Sequence, residues 1–376
     1  MRPLRWGMIG GGEGAFIGGV HRMAARVDGR YQLVAGVFSS DAEKTQRSAL
    51  ALGVDPARAY PSVEAMIAAE TKRADGVEVV SVVTPNHMHY PQSAAFLEAG
   101  IDVICDKPLT TNLADAEKLV ALAASKKRLL GVTFNYTGYP MIRHAKQLIA
   151  DGLIGTLRVV QVEYPQGWLA TAIEKSGQKQ ASWRTDPKQA GAGALGDIGS
   201  HAFQLAEFVT GAKVQEVAAD VSALVPGRVI DDNVNVLLRF ENGARGSLWA
   251  SQVAIGRLNS HRLRVYGETG SIEWFQERPE ELLVVETGAS PQTVRRGDPG
   301  TPTSSVGLPG GHPEGFIEAF SQLYTDFAER VTARIESRSP KAASLFAPDA
   351  VTGTRVMAFI EAVLKSGQAN SAWTRV

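Results

Sequence analysis

A glycine cluster, Gly10-Gly11-Gly12-Glu13-Gly14, closes a short β-rich run at residues 6–9, and a regular alternation of strand-like and helix-like segments follows. No other feature of the chain limits its fold as much. Further β-rich runs stand at 32–38, 77–83, 102–105 and 129–134, and residues 41–52, 63–70, 90–99 and 113–125 between them carry apolar side chains at helical spacing. Strands that alternate with helices make a parallel sheet covered on both faces. Several boundaries agree with this reading: Ser40 or Asp41 can start the second helix, Asn112 can cap another, and Gly53 and Gly100 can end two of them. The expectation for residues 1–134 is a doubly wound, Rossmann-type dinucleotide-binding domain.

After Tyr136 the pattern changes. A helix over 141–150 and a strand over 157–164 precede an irregular stretch at 165–190, and a helix over 197–209 follows. Residues 214–222, 234–240, 246–253, 262–266, 271–275 and 282–286 then read as an antiparallel meander, with Asn242-Gly243 as a hairpin turn. Residues 288–311 are rich in Gly, Pro, Ser and Thr, as a loop or lid would be, and helices over 314–332 and 349–365 close the chain. Residues 135–376 are therefore expected to form a second, α+β domain with a large open, mostly antiparallel sheet. Such a sheet leaves one face for a partner subunit, so a homodimer or homotetramer through this face is expected. Leu248 and Val253 are candidates for that contact.

A chain of 376 residues exceeds one ordinary core, which fits two domains. Lys+Arg 39 against Asp+Glu 39 leaves no broad basic surface for nucleic acid or anionic lipid. The partner expected is a small molecule. Cys105 is the only cysteine, which excludes disulfides within the chain, and no apolar run reaches membrane-spanning length. A soluble, cytoplasmic protein is the expectation.

The glycine turn carries the first chemistry. Gly10, Gly12 and Ala15 fit G-x-G-x-x-G/A, in which the glycines permit a tight turn and close approach of backbone N–H groups to a pyrophosphate. Gly14 and Phe16 belong to the same loop. The second strand ends at Ser39-Ser40 without a carboxylate, so either ribose form can be held there. NAD is favoured because no arginine stands beside them, with NADP open. Thr84, Asn86 and His89 follow the third strand, where loops face the nicotinamide end of a cofactor. Lys107, in Cys105-Asp106-Lys107-Pro108, ends the fourth strand and can donate to a reacting oxygen as negative charge develops on it.

Asp197 and His201 are four residues apart and share a helix face. The histidine suits acceptance of a hydroxyl proton near neutrality, and Asp197 can orient it or bind a hydroxyl. The bland alternatives are an aspartate favouring a helix start and a satisfied interior histidine. A metal pair lacks a third ligand at a recognisable spacing, so no metal is expected.

The glycine turn, Lys107-Pro108 and the pattern G-x-G-x-x-x-D-x-G-x-H from Gly191 to His201 together resemble the Gfo/Idh/MocA oxidoreductases, the family of glucose–fructose oxidoreductase and inositol dehydrogenase. The resemblance runs through essentially the whole chain. It implies a Lys107, Asp197, His201 triad with the histidine as acid/base, bound NAD(P), and oxidation of a secondary hydroxyl on a sugar or cyclitol, inositol foremost. A redox glycosidase and a non-catalytic sugar- or dinucleotide-sensing regulator are the alternatives. Two departures stand out: Asp106 replaces the family's usual glutamate, and about three extra residues separate Gly12 from His21. Tyr136, Trp183, Arg184 and His312 are the substrate-side candidates, because arginine can fork to neighbouring hydroxyls and an aromatic ring can cover a sugar face.

Overall fold

The computed structural model describes residues 2–302 and 307–376. The chain opens with β1 (Leu4–Gly10), α1 (Phe16–Arg26), β2 (Tyr31–Val37), α2 (Ala42–Leu52), α3 (Val63–Glu70), β3 (Val79–Val83), α4 (His89–Glu98), β4 (Asp102–Cys105), α5 (Leu113–Lys126) and β5 (Leu130–Val132). The five strands pair in parallel in the order β2-β1-β3-β4-β5. The helix starts follow from local chemistry: Asp41, Ser62 and Asn112 each accept a hydrogen bond from a first-turn N–H through the side chain. Strands β3 and β4 are buried along their whole length, as expected of strands with helices on both faces.

Downstream lie α6 (Pro140–Ala150), β6 (Leu157–Pro165), α7 (Lys179–Arg184), α8 (Pro187–Ala190), a π-helical turn (Leu195–Gly199), α9 (Ser200–Thr210), β7 (Val214–Ser222), β8 (Asn233–Phe240), β9 (Arg245–Ser251), β10 (Arg262–Gly267), β11 (Gly270–Phe275), β12 (Glu281–Glu286) and β13 (Gln292–Arg295). The chain ends with α10 (Phe316–Ile335), α11 (Ala350–Gln368) and β14 (Thr374–Arg375).

Two compact units result, one of residues up to 138 with 316–354, the other of 139–315 with 355–376. This grouping differs from a single cut after residue 134. Phe320, Leu323, Tyr324 and Phe327 of α10 are buried in the same core as Trp6, Met8 and Val79, so the apolar stripe of α10 completes the first unit. Arg334, near the end of that helix, meets the buried Asp102 carboxylate at 2.5 Å.

In the second unit the nine strands run β13-β12-β11-β10-β6-β9-β8-β7-β14. The expected uninterrupted meander is corrected here, because β6 enters between β9 and β10. It is parallel to β9 (Val162 opposite Leu248) and antiparallel to β10 (Val162 opposite Leu263). The alternation of β6 permits this: Val160, Val162 and Tyr164 are buried on the same face as Leu248 and Leu263. Helix α9 covers that face. The opposite face exposes Val159, Leu237, Tyr266 and Leu283. Leu248 therefore lies on the covered face and is no candidate for a contact through the open one. Asn242-Gly243 does turn β8 into β9, with Gly243 at φ 88°. The stretch expected as plain loop at 288–311 contains β13, and residues 303–306 of it lie outside the described residues. The irregular 165–190 segment contains the short helices α7 and α8. Among the described residues no helix is long and apolar enough to cross a membrane.

Candidate active site

The cofactor loop is built by close backbone packing. Gly10 and Gly11 take φ of 80° and 72°, conformations that favour glycine. A Cβ on Gly12 would sit 2.6 Å from the Phe38 carbonyl oxygen, to which the Gly12 N–H donates at 3.0 Å. The third small residue of the fingerprint is Gly18, not Ala15. A Cβ on Gly18 would lie 2.3 Å from the Gly11 Cα, so only glycine lets α1 approach the turn. Residues 13–16 are then an inserted lip, pinned where the Glu13 N–H donates to Ser48 Oγ at 3.0 Å. No side chain caps α1 at Ala15, which suits its first N–H groups to a phosphate. These features fit a dinucleotide pyrophosphate.

This reassignment is testable. Gly18→Ala is expected to cost about 1–3 kcal/mol through overpacking and to weaken NAD binding, while Ala15→Gly, at a partly exposed position, should change both little. Thermal melts and an NAD titration on both variants check it; equal effects would return the third position to Ala15.

At the end of β2, the Ser39 N–H donates to Thr45 Oγ1 at 3.0 Å and Ser39 Oγ accepts from the Asp41 N–H at 3.2 Å. Asp41 is occupied as the α2 cap, and Ser40 is exposed. After β3, Thr84 Oγ1 donates to Gln92 Oε1 at 2.7 Å, and Asn86 opens a short 3₁₀ turn. His89, expected to face the cofactor, is instead fully buried. Its Nδ1 lies 2.8 Å from the Pro108 carbonyl oxygen and its Nε2 2.9 Å from that of Thr84. It is a strut between two loops, and burial lowers its pKa despite the nearby Asp106. Lys107 follows β4 through Asp106, whose carboxylate is held below the usual carboxylate range against its burial by His21, Lys107 and Thr133. Tyr136 is buried in the turn Asn135–Gly138 of the same unit.

In the second unit Asp197 does not start a regular helix as expected. It sits in the π turn that precedes α9, with His201 one residue inside α9. Wide turns of this kind recur at functional sites because they re-aim side chains. The glycine-rich approach to the turn is anchored by Asp231, whose carboxylate accepts from the Gly193 and Leu195 N–H groups at 2.7 Å each. A Cβ on Gly193 would lie 1.9 Å from the Asp231 carbonyl oxygen, which explains that glycine. Asp197 Oδ2 accepts from Gln252 Nε2 at 2.8 Å and faces Arg184 Nε at 3.5 Å. The Arg184 guanidinium lies over the Trp183 ring at 4.3 Å. Trp183, Arg184 and Asp197 thus form one cluster. His312 is exposed, with Nδ1 3.2 Å from the Pro309 carbonyl oxygen.

Gln252 and Asp231 escaped the sequence reading. Each stands more than thirty positions from the motif it supports, at or beyond a strand end where no periodic pattern marks it.

His201 is nearly buried, and its ring lies 6.2 Å from that of Tyr164, which stacks on His261 at 4.6 Å. Burial pushes the pKa of His261 down to about 3. Its unfolded value is about 6.5. A depressed folded pKa leaves its contribution to stability complete above pH 6.5 and erodes it as the pH falls toward 3, by up to about 1.4 kcal/mol per pH unit. His261→Phe is expected to flatten the acid side of the stability profile, measured by denaturant midpoints between those limits. An unchanged slope would show that another group is responsible.

A Rossmann unit joined to a unit carrying an Asp/His pair is the make-up of a nicotinamide-dependent oxidoreductase. Residues 4–134 match the oxidoreductase family with an NAD-binding Rossmann fold, and residues 142–273 match the GFO/IDH/MocA C-terminal domain. The chain belongs to the Gfo/Idh/MocA oxidoreductases, and NAD is its cofactor. It is 37% identical to an uncharacterized oxidoreductase of Bacillus subtilis over 99% of this chain and 96% of that one. It is 31% identical to levoglucosan dehydrogenase of Pseudarthrobacter phenanthrenivorans over 70% of this chain and 77% of that one. Among solved structures, an inositol dehydrogenase homolog from Azotobacter vinelandii complexed with NAD+ superimposes with a TM-score of 0.94 at 35% identity, covering 100% of this chain and 98% of that one.

Proposed function

We propose that the protein oxidises a secondary hydroxyl of a cyclitol or pyranose to the ketone or lactone, with an inositol-type ring as the leading substrate. The observation that carries this reading is the Asp197 cluster: a carboxylate held by Gln252 and Arg184, four residues before a nearly buried histidine. The similarity to an inositol dehydrogenase homolog and to levoglucosan dehydrogenase supports a polyhydroxylated ring.

NAD, when bound, supplies the acceptor for the hydride. His201 takes the hydroxyl proton, Lys107 stabilises the negative charge that develops on the oxygen, and Asp197 orients. Arg184 forks to neighbouring hydroxyls beside Trp183, and Tyr136 and His312 are further substrate contacts. Gly10, Gly12, Gly14, Ala15 and Phe16 serve the pyrophosphate, Ser39 and Ser40 the adenosine ribose, and Thr84 and Asn86 the nicotinamide end. Purified protein incubated with NAD or NADP and a panel of inositols, aldoses and levoglucosan tests the reading by absorbance of the reduced nicotinamide. Reduction with a cyclitol or pyranose is expected, and no reduction with any ring polyol would overturn it.

The second unit is proposed to bind substrate and to associate through its open sheet face. Leu237 is 56% exposed there beside Trp249 and Trp373, which line a recess of about 520 Å³. A dimer or tetramer is expected in light scattering at micromolar concentration, with Leu237→Glu shifting it toward monomer. A fully active monomeric wild type would refute it.

A further inference from the structure

Behind Asp106 the first unit contains a chain of buried polar groups that no step above uses. Trp6 Nε1 donates to Ser81 Oγ at 2.8 Å, Ser81 Oγ lies 2.7 Å from Tyr324 Oη, and Tyr324 Oη lies 2.7 Å from His21 Nδ1. The far side of the imidazole, Nε2, faces Asp106 Oδ1 at 3.7 Å. All four side chains are at most 1% exposed. They come from β1, β3, α10 and α1, so only the assembled unit brings them into line.

The two ends determine which way the hydrogens point. Indole N–H can only donate, and an ionised carboxylate can only accept. Between them each group then accepts on one side and donates on the other: Trp6 to Ser81, Ser81 to Tyr324, Tyr324 to His21 Nδ1, and His21 Nε2–H toward Asp106. The reverse order would aim an imidazole lone pair at the carboxylate and leave the Ser81 proton to find another acceptor in the core. Aromatic edges hold the chain in place, with Tyr324 against Trp6 at 5.9 Å and His21 against Phe320 at 5.2 Å. On its other side Asp106 Oδ1 accepts from Thr133 Oγ1 at 2.7 Å, and the Asp106 N–H donates to the Val82 carbonyl at 2.9 Å.

We propose that Trp6, Ser81, Tyr324 and His21 form a one-directional hydrogen-bond relay that aims the His21 Nε2–H at the Asp106 carboxylate, an electrostatic contact at 3.7 Å, and thereby sets the backbone from which Lys107 projects. His21 and Tyr324 are positioning residues for the reaction, acting through Asp106. The second half of this inference rests on the role given to Lys107 above; the direction of the relay does not.

Two measurements separate these parts. In protein labelled with ¹⁵N in its imidazoles, His21, identified by the signal lost in His21→Asn, is expected as the Nε2–H tautomer. Tyr324→Phe keeps the ring and its packing but removes the hydroxyl; the Asp106 carboxylate still faces Nε2, so the Nε2–H form is expected to persist while the Nδ1 resonance shifts because its donor is gone. The same variant is expected to lower kcat roughly tenfold, as small misplacement of a reacting group does, with KM for NAD within about twofold of wild type. Should Tyr324→Phe not fold, Ser81→Ala interrupts the chain one link earlier with the same expected fall in kcat. An Nδ1–H tautomer in the wild type would overturn the relay, and full kcat in the interrupted variant would overturn the link to Lys107. A wild type inactive on every polyol would overturn the functional reading, while the tautomer would still decide the relay.

Discussion

His201→Ala and Lys107→Ala are each expected to lower turnover by about 10²-fold or more, the usual share of a positioned acid–base group. His201 is nearly buried at the start of α9 and Lys107 lies just past the end of β4, so neither substitution removes a large apolar side chain from a core. Cofactor affinity is expected to hold in both, because the glycine turn and the Ser39 end of β2 are untouched. Steady-state kinetics with NAD and the best ring polyol, together with an NAD titration, check this. Near-normal turnover in both variants would refute the assignment, and lost NAD binding in His201→Ala would point to a structural role.

Arg228→Ala is expected to be the most damaging single change outside the cores of the two units. The Arg228 side chain is 1% exposed and pairs with Asp232, also 1% exposed, at 3.1 Å and with Glu174 at 3.0 Å. It also donates to the Leu169 and Thr171 carbonyls at 2.8 and 3.1 Å. Removing the cation leaves a buried carboxylate and two carbonyls short of a donor, which costs about 3–5 kcal/mol. Asp232 is itself held by the Leu224 and Val225 N–H groups at 2.8 and 3.0 Å, so it stays in place and carries the cost. Chemical denaturation of both proteins measures the difference. A loss below about 1 kcal/mol would mean that water enters and solvates Asp232.

Much of the first unit is legible in the order of its residues because its determinants are local. Alternating segments, Asp41, Ser62 and Asn112 at helix starts, and Gly53 in the left-handed conformation at φ 71° depend on neighbours within a few positions. The glycine turn is legible for the same reason, but its third member is not. The G-x-G-x-x-A spacing points to Ala15, whereas the inserted lip shifts the helix start and brings Gly18 against Gly11. A spacing rule assumes a loop of fixed length, and only the contact shows which small residue meets the turn.

The sequence by itself determined the parallel sheet, the glycine turn after β1 and the family, since each rests on short-range pattern or motif. Tertiary structure alone decided which distant groups complete them. It placed α10 in the first unit, so that Tyr324 reaches His21 and Ser81 across hundreds of positions. It put β6 between β9 and β10 and turned Leu248 inward, leaving Leu237 on the open face. It also delivered Gln252 to Asp197 and Asp231 to the Gly193 turn. The physical reason is common to all of these. A buried polar group or apolar face must find a partner, many partners suffice chemically, and the packing of whole elements selects one.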